Sequence, residues 1–257
     1  MKAGLAVTVV LVSGLLQGCA SSGSSSSSVS QREAAANQAA SVNVRLAIGY
    51  IQQGRLEFAQ EKIDKALEQA PNSAEVNTVA GLLNEQIGKW KQAERHYRKA
   101  VRITPDDGNV NNNLGTFLCK KGEIDESLAF FEAAVNDPFY KTPEVAFANA
   151  GNCVSKVPDL DRAEQYYRGA LELRPGYADA LFQMMNLMYR KGEYLKARGF
   201  LQRFELASEH TSESLLMAIR IEEELGDAEK AKSYQDQLKS RFPDTPALRN
   251  TNGSTTK

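Results

Sequence analysis

Few side chains in this sequence have the types and spacing that catalysis or metal binding needs. The two histidines, His96 and His210, lie far apart, and each neighbours charged residues. A zinc site needs several ligands around one ion, and a histidine-based triad needs a nucleophile and an acid around one ring. The acids Glu222 and Glu224 fall in a segment that we expect to be a solvated helix, and no glycine-rich phosphate loop is present. We therefore predict no catalytic residue, metal site, cofactor or small-molecule substrate.

Cys19 stands where an apolar N-terminal run changes abruptly into a serine-rich tract. Lys2 gives a positive start, and Ala3–Leu16 is apolar but shorter than the ~20 residues that span a membrane, a pattern typical of a signal peptide. The end of the run, Leu16-Gln17-Gly18-Cys19, resembles the lipobox of bacterial lipoproteins. This resemblance implies that residues 1–18 are a removable signal peptide and that Cys19 carries covalent lipid such as palmitate. The alternative is a secreted protein with an unmodified cysteine.

The residues after Cys19 indicate where such a lipoprotein would work. Ala20, rather than aspartate, follows the cysteine, which resembles the sorting pattern of outer-membrane lipoproteins. Residues 19–38 are rich in serine and cannot form a core, so we predict a lipidated, flexible tether. The expected location is the outer membrane, with the protein lipid-anchored and facing the periplasm.

The composition predicts a globular body and excludes one class of partner. The chain is 42% hydrophobic and 25% charged, and its 31 basic and 32 acidic residues leave a formal net charge of −1. Nucleic-acid-binding proteins usually carry a basic patch that neutralises phosphates. Because the charges here are interspersed, we expect no nucleic-acid ligand.

One unit is repeated along the body of the chain. Turn glycines recur every 34 residues within two runs, at Gly54, Gly88 and Gly122 and then at Gly192 and Gly226, with Pro158 in the intervening slot. Each unit contains two segments with apolar residues at helical spacing. The predicted boundaries are 40–73, 74–107, 108–141, 144–177, 178–211 and 212–245.

This pattern resembles the tetratricopeptide repeat, which has small residues at positions 8, 20 and 27, an aromatic residue near 24 and proline at 32. The resemblance implies an all-α fold, a right-handed α-solenoid of six tetratricopeptide repeats over residues 39–246. The segment "DPFYKTPEV" inserts two residues between repeats three and four, and repeat six is polar enough to be a C-terminal cap. Residues 247–257 are predicted to be a polar, disordered tail.

The first helices of such repeats line a concave groove that binds peptide segments of other proteins. The predicted partner groove comprises Val44, Ile48, Ile51, Thr78, Leu82, Asn109, Asn112, Asn113, Thr116 and Asn149. Its N-terminal part is apolar and its central part polar. We expect a partner to cover the apolar part, or Ala34–Ala40 to fold back over it as a helical cap. The asparagines either contact a bound peptide or form caps and helix-to-helix hydrogen bonds.

Cys119 and Cys153 fall on the first helices of repeats three and four, which should be parallel neighbours. A disulfide between them requires Cα atoms within about 7 Å. The sequence leaves two alternatives: a disulfide beside the insertion, or two small buried thiols.

A longer stretch across these two repeats, "NNNLGTFLCKKGEIDESLAFFEAAVNDPFYKTPEVAFANAGNCV", narrows the resemblance. Together with the lipobox, the polar tether and the six repeats, it resembles the PilF/PilW family of type IV pilus (fimbrium) biogenesis lipoproteins. Some members of that family carry a cysteine pair in these repeats, which favours the disulfide.

The resemblance implies a pilotin, which binds the pilus secretin subunit, brings it to the outer membrane and promotes its assembly into a multimer. Other type IV pilus proteins are further candidate partners. The alternative is a tetratricopeptide lipoprotein that serves as an adaptor of another envelope machine, either β-barrel assembly or a scaffold for peptidoglycan enzymes.

Overall fold

The computed structural model of the protein describes residues 24–157 and 159–246. These residues form twelve α-helices and no strand. In chain order the helices are α1 (Ser24–Gln52), α2 (Leu56–Gln69), α3 (Ala74–Gln86), α4 (Trp90–Ile103), α5 (Gly108–Lys121), α6 (Ile124–Asn136), α7 (Pro143–Val154), α8 (Leu160–Leu173), α9 (Ala178–Arg190), α10 (Tyr194–Ala207), α11 (Ser212–Glu224) and α12 (Ala228–Arg241). Within the described ranges, no helix is both long enough and apolar enough to cross a membrane. The predicted signal peptide, Cys19, Pro158 and the predicted tail lie outside the described residues.

The helices pack as six consecutive pairs, α1 with α2 through α11 with α12. Each pair also contacts the next pair, and the first helices α1, α3, α5, α7, α9 and α11 contact one another in sequence. This stacking is an α-solenoid, so the predicted all-α fold of six repeats is confirmed. Five turns between the paired helices use glycine with φ between +69° and +86°, a left-handed conformation that costs other residues energy.

Small residues let the two helices of a pair approach until a ring lies directly on the backbone. A Cβ atom added to Gly81 would lie 2.8 Å from the Tyr97 ring, and one added to Gly151 would lie 2.5 Å from the Tyr167 ring. Gly115 has the same relation to Phe131, at 2.9 Å. These three glycines occupy repeat position 8, where the sequence pattern predicts a small residue. The close approach buries the aromatic rings in the core.

Buried asparagines hold the loops between repeats, and the sequence analysis did not single them out. Asn77 Nδ2 donates hydrogen bonds to the carbonyl oxygens of Pro71 (2.9 Å) and Ser73 (2.8 Å). Asn111 Nδ2 does the same one repeat later with Pro105 (2.7 Å) and Asp107 (3.0 Å). Each amide therefore links the loop between two repeats to the first turn of the helix that follows it. The recurrence of asparagine after 34 residues is the signal that could have identified them.

The N-terminal tether prediction is wrong over the residues that the structure describes. α1 begins at Ser24 and continues without interruption to Gln52, so residues 24–38 are helical. The reason is that Arg32–Ala40 is composed mainly of alanine, glutamate and glutamine, which favour helix, and a helix already formed in repeat one is easily extended. Because α1 is continuous, Ala34–Ala40 does not fold back as a cap over the groove.

The insertion between repeats three and four is also anchored. Asp137 Oδ2 accepts a hydrogen bond from the backbone N–H of Gly108 (2.8 Å), and Tyr140 is buried against Gly108. The two extra residues therefore leave the stacking of α6 on α7 intact.

Close packing at Gly151 can be tested against an open glycine in another helix. We expect Gly151→Ala to lower the free energy of unfolding by about 1–3 kcal/mol, because the new methyl group meets the Tyr167 ring. The matched control Gly199→Ala should raise it by about 0.5–1 kcal/mol, since nothing lies within 4 Å of a Cβ there and alanine favours helix. Urea denaturation followed by circular dichroism measures both changes. Equal effects of the two substitutions would contradict the packing described.

Candidate partner-binding groove

The apolar part of the predicted groove is formed by α1 and α3. Ile48, Ile51 and Leu82 are half-buried, and each packs with one side against the hydrophobic core. The rest of each side chain is accessible to solvent.

Val44 is a wrong prediction for the groove. It is 0% exposed and lies in a cluster with Ala47, Ile63 and Val79 from α1, α2 and α3. Repeat position 5 faces the interior at this point because α3 packs against α1 there. Val44 therefore supports the groove from beneath instead of contacting a partner.

A charged cluster borders the apolar part. Glu85 lies one turn after Leu82; its carboxylate accepts hydrogen bonds from Lys120 Nζ (2.6 Å) and from the Tyr97 hydroxyl (3.1 Å). Burial, and then the neighbouring Glu85 charge, raises the pKa of Tyr97 well above its usual value. The hydroxyl therefore stays protonated and continues to donate. Thr78, also half-buried, has a buried Oγ1 atom with no hydrogen-bond partner among the described residues.

The asparagines of the central part behave in two ways. Asn149 Nδ2 on α7 donates to Asn112 Oδ1 on α5 (3.0 Å), and Thr116 Oγ1 donates to the Asn112 carbonyl oxygen (2.8 Å). This supports helix-to-helix hydrogen bonding for Asn112 and Asn149. Asn109 is exposed at the start of α5 and Asn113 is half-buried, so both remain candidates for contacting a peptide.

The cysteines of repeats three and four are joined. Cys119 on α5 and Cys153 on α7 form a disulfide, with their Cα atoms 5.7 Å apart. Both are buried, and Ser127 Oγ lies 3.1 Å from Cys153 Sγ. Together with the Asn112–Asn149 hydrogen bond, the disulfide links the same two first helices next to the insertion.

Ser214, His210 and Glu205 are connected in the same order as the serine, histidine and acid of a catalytic triad. His210 Nδ1 lies 2.9 Å from Ser214 Oγ, and its Nε2 lies 3.1 Å from Glu205 Oε1. Ser214, however, is completely buried, and its hydroxyl accepts from the Thr211 N–H (2.9 Å) and donates to the Thr211 carbonyl (3.0 Å) in a helix capping box. A nucleophile must reach its substrate. The array therefore caps the N-terminus of α11, a role that the sequence did not indicate.

The other titratable groups noted in the sequence are also structural. His96 Nδ1 lies 3.1 Å from Asn77 Oδ1, and burial lowers the pKa of His96, with a smaller effect from Arg95. Glu222 was expected on a solvated surface, but it is buried because Arg198 pairs with its carboxylate (Nε to Oε1, 3.0 Å). The described residues contain no group of three or more histidine, cysteine, aspartate or glutamate side chains placed to hold a metal ion.

Comparisons with known proteins define the class of this chain. A sequence model of the tetratricopeptide repeat matches residues 44–108 and 86–141, and a second matches residues 213–245. These matches cover repeats at both ends of the solenoid. The chain is a tetratricopeptide-repeat protein.

Similarity over nearly the full length then identifies the family. The chain is 28% identical over 238 residues to the type IV pilus assembly protein PilF of Pseudomonas aeruginosa, covering 93% of this chain and 94% of that protein. It is 33% identical over 142 residues to an uncharacterised protein of Haemophilus influenzae, covering 54% and 79%.

Solved structures agree. PilW, described as a widely conserved type IV pilus biogenesis factor, has a TM-score of 0.75 at 28% identity and covers 84% of this chain and 99% of its own. The structure of Pseudomonas aeruginosa PilF has a TM-score of 0.73 at 27% identity and covers 85% and 99%. The chain belongs to the PilF/PilW family of tetratricopeptide-repeat proteins.

The disulfide can be tested by its effect on stability. We expect reduction, or the double substitution of Cys119→Ser and Cys153→Ser, to lower the free energy of unfolding by about 2–4 kcal/mol, because the crosslink restricts the unfolded chain. Thermal unfolding with and without a thiol reductant measures the effect, and the double variant should be insensitive to the reductant. Non-reducing mass spectrometry that finds two free thiols would contradict the assignment.

Proposed function

We propose that this protein is an outer-membrane lipoprotein scaffold of type IV pilus biogenesis. In this proposal it binds the secretin subunit and promotes its location and multimerisation in the outer membrane. The observation that carries the proposal is similarity across 93% of the chain to a protein named for type IV pilus assembly. The solenoid supports it, because stacked helix pairs of this kind present an extended surface to another polypeptide.

The apolar part of the groove would grip the partner. Burying the part of Ile48, Ile51 and Leu82 that remains exposed, a third or less of each side chain, is worth about 0.5 kcal/mol each, from the ~1.5–3 kcal/mol of a fully buried aliphatic side chain. Together that is roughly tenfold in affinity. Asn109 and Asn113 can add hydrogen bonds to the partner's backbone, since an amide both donates and accepts.

Membrane anchoring would add to this modest contact. Lipid on Cys19 would concentrate the protein and its bound subunits at one surface, which favours assembly without further contacts. Several acyl chains, at about 0.8 kcal/mol per buried CH₂, hold a protein durably where a single chain does not.

The helical start of α1 changes how the body would stand above the membrane. Residues 24–39 precede the first repeat and are helical, so they rise by about 24 Å at 1.5 Å per residue. Only residues 20–23 separate this helix from Cys19. The predicted flexible tether is thus replaced over most of its length by a helical spacer.

The partner assignment is tested by photo-crosslinking. A benzoylphenylalanine residue at Ile48 or Leu82 should capture the secretin subunit in cells, because both side chains face the groove. The same probe at Leu206, which is 90% exposed on α10, is the control and should not capture it. Crosslinks from the groove to β-barrel assembly factors or peptidoglycan enzymes alone would overturn the pilus assignment and favour the other envelope adaptors.

The anchor is tested separately. We expect Cys19→Ser to leave the circular dichroism spectrum and thermal stability unchanged, because the change lies outside the repeats. Secretin multimers should decrease in the outer-membrane fraction, because the captured subunit loses its address. The measurement is membrane fractionation followed by immunoblotting of secretin multimers. An unchanged amount and location of the multimer would refute the lipoprotein role.

A further inference from the structure

The N-terminal end of the solenoid exposes a face that every later repeat buries. Val42 and Leu46 on α1 occupy repeat positions 3 and 7, and they are 43% and 46% exposed. In repeats two to six the residues at these positions are at most 6% exposed. At position 3 they are Val76, Val110, Ala146, Ala180 and Ser214, and at position 7 they are Ala80, Leu114, Ala150, Met184 and Ala218.

Gly49 leaves this face without a side chain at one position. It occupies position 10, where the later repeats place Leu83, Phe117, Cys153, Leu187 and Ile221, all at most 2% exposed. A Cβ added to Gly49 would have nothing within 4 Å. Val42, Leu46 and Gly49 follow one another at spacings of four and three residues, so they share one side of α1. We call Val42, Arg45, Leu46 and Gly49 the open repeat face.

The repeats themselves show what covers such a face. On α5, Leu114 and Phe117 pack against Tyr97 of the preceding α4, with the Tyr97 and Phe117 ring centroids 5.1 Å apart. On α7, Ala146 and Ala150 line a cleft with Phe131 and Val135 of the preceding α6. In both cases the complement is the second helix of the previous repeat, with an aromatic residue at position 24 and valine at position 28.

A second copy of this chain does not provide that complement in a head-to-tail arrangement. The last helix, α12, carries Gln235 and Lys239 at positions 24 and 28. Both are polar, and Lys239 has the same charge as Arg45. The polar end closes the solenoid, whereas the N-terminal end stays apolar.

Arg45 indicates that a helix covering the open repeat face would carry an acidic residue. Arg45 is exposed on the open repeat face, and its side chain makes no hydrogen bond or ion pair with any other described residue. A carboxylate on an incoming helix could pair with it while apolar side chains cover Val42 and Leu46.

We propose that the open repeat face binds an amphipathic α-helix of a partner protein, which stacks on α1 as the second helix of a preceding repeat would. The partner helix carries an aromatic and an aliphatic residue four positions apart, with at least one acidic residue at their edge. This site lies on a different side of α1 from the groove residues Ile48 and Ile51. The proposal therefore goes beyond the proposed function and does not depend on the secretin being the partner.

A segment of this chain can serve as the peptide that tests binding to the open repeat face. A fluorescently labelled peptide of residues 122–138 copies α6, which carries Phe131 and Val135 four positions apart together with Asp125, Glu126 and Glu132. Fluorescence anisotropy with the purified full chain should show saturable binding of one peptide. A control peptide with Phe131→Lys and Val135→Lys should not bind.

Substitutions in the full chain test whether the peptide binds at the open repeat face. We expect Leu46→Glu to weaken peptide binding at least tenfold, because a carboxylate would be buried against the peptide's apolar stripe and would repel its acidic residues. The matched control Leu206→Glu introduces the same charge on another face and should bind as the wild type does. Both positions are exposed, so circular dichroism should show the same fold.

Three results of the peptide assay would overturn the proposal. These are no binding by the wild type, equal binding by Leu46→Glu and wild type, or binding of the Lys-substituted peptide. Sedimentation velocity covers the remaining occupant: a dimer of the wild type that Leu46→Glu dissociates would assign this face to self-association instead of a partner helix.

Discussion

The stacking of one helix pair on the next is the contact on which the rest of this structure depends. The two helices of one pair bury apolar side chains between them, but the pair has a second apolar surface on its outside. A neighbouring pair must cover that second surface. In the pairs that contain Gly81, Gly115 and Gly151, an aromatic ring packs directly on the glycine, so the two helices of the pair lie close together. Both the groove and the ends of the solenoid result from this arrangement.

Much of the fold could be predicted because the repeat is written in residue types with strong local preferences. Glycines at the turns, small residues at position 8 and aromatic residues near position 24 fix where helices end and which sides meet. The start of α1 could not be predicted in the same way. A serine-rich, alanine-rich segment has no apolar pattern, and its helix is an extension of one that packs in repeat one.

The candidate site was predictable only in part, since a repeat position describes an average. Position 5 is buried at Val44 and Ala148 but half-buried at Asn112. Which applies depends on how closely the next first helix approaches, a tertiary property. The sequence also does not show which hydrogen-bond partner a polar side chain will have. Asn112 accepts a hydrogen bond from Asn149, whereas the adjacent Asn111 donates one to the loop carbonyl of Pro105. For the cysteine pair, the repeat positions allowed either a disulfide or two buried thiols, and the family resemblance favoured the disulfide.

The two ends of the solenoid differ in a way that stability alone does not require. Stability favours polar side chains at both ends, as α12 has with Gln235 and Lys239. At the other end, two large aliphatic side chains remain exposed next to Arg45, whose side chain has no partner among residues 24–157 and 159–246, on the helix that leads towards Cys19. Exposed aliphatic surface promotes association, so it is retained where association is useful. The open repeat face and part of the apolar groove both lie on α1, so both proposed binding sites meet at the end that would be nearest the membrane. The disulfide, by contrast, links α5 and α7 in the centre of the solenoid, away from these faces.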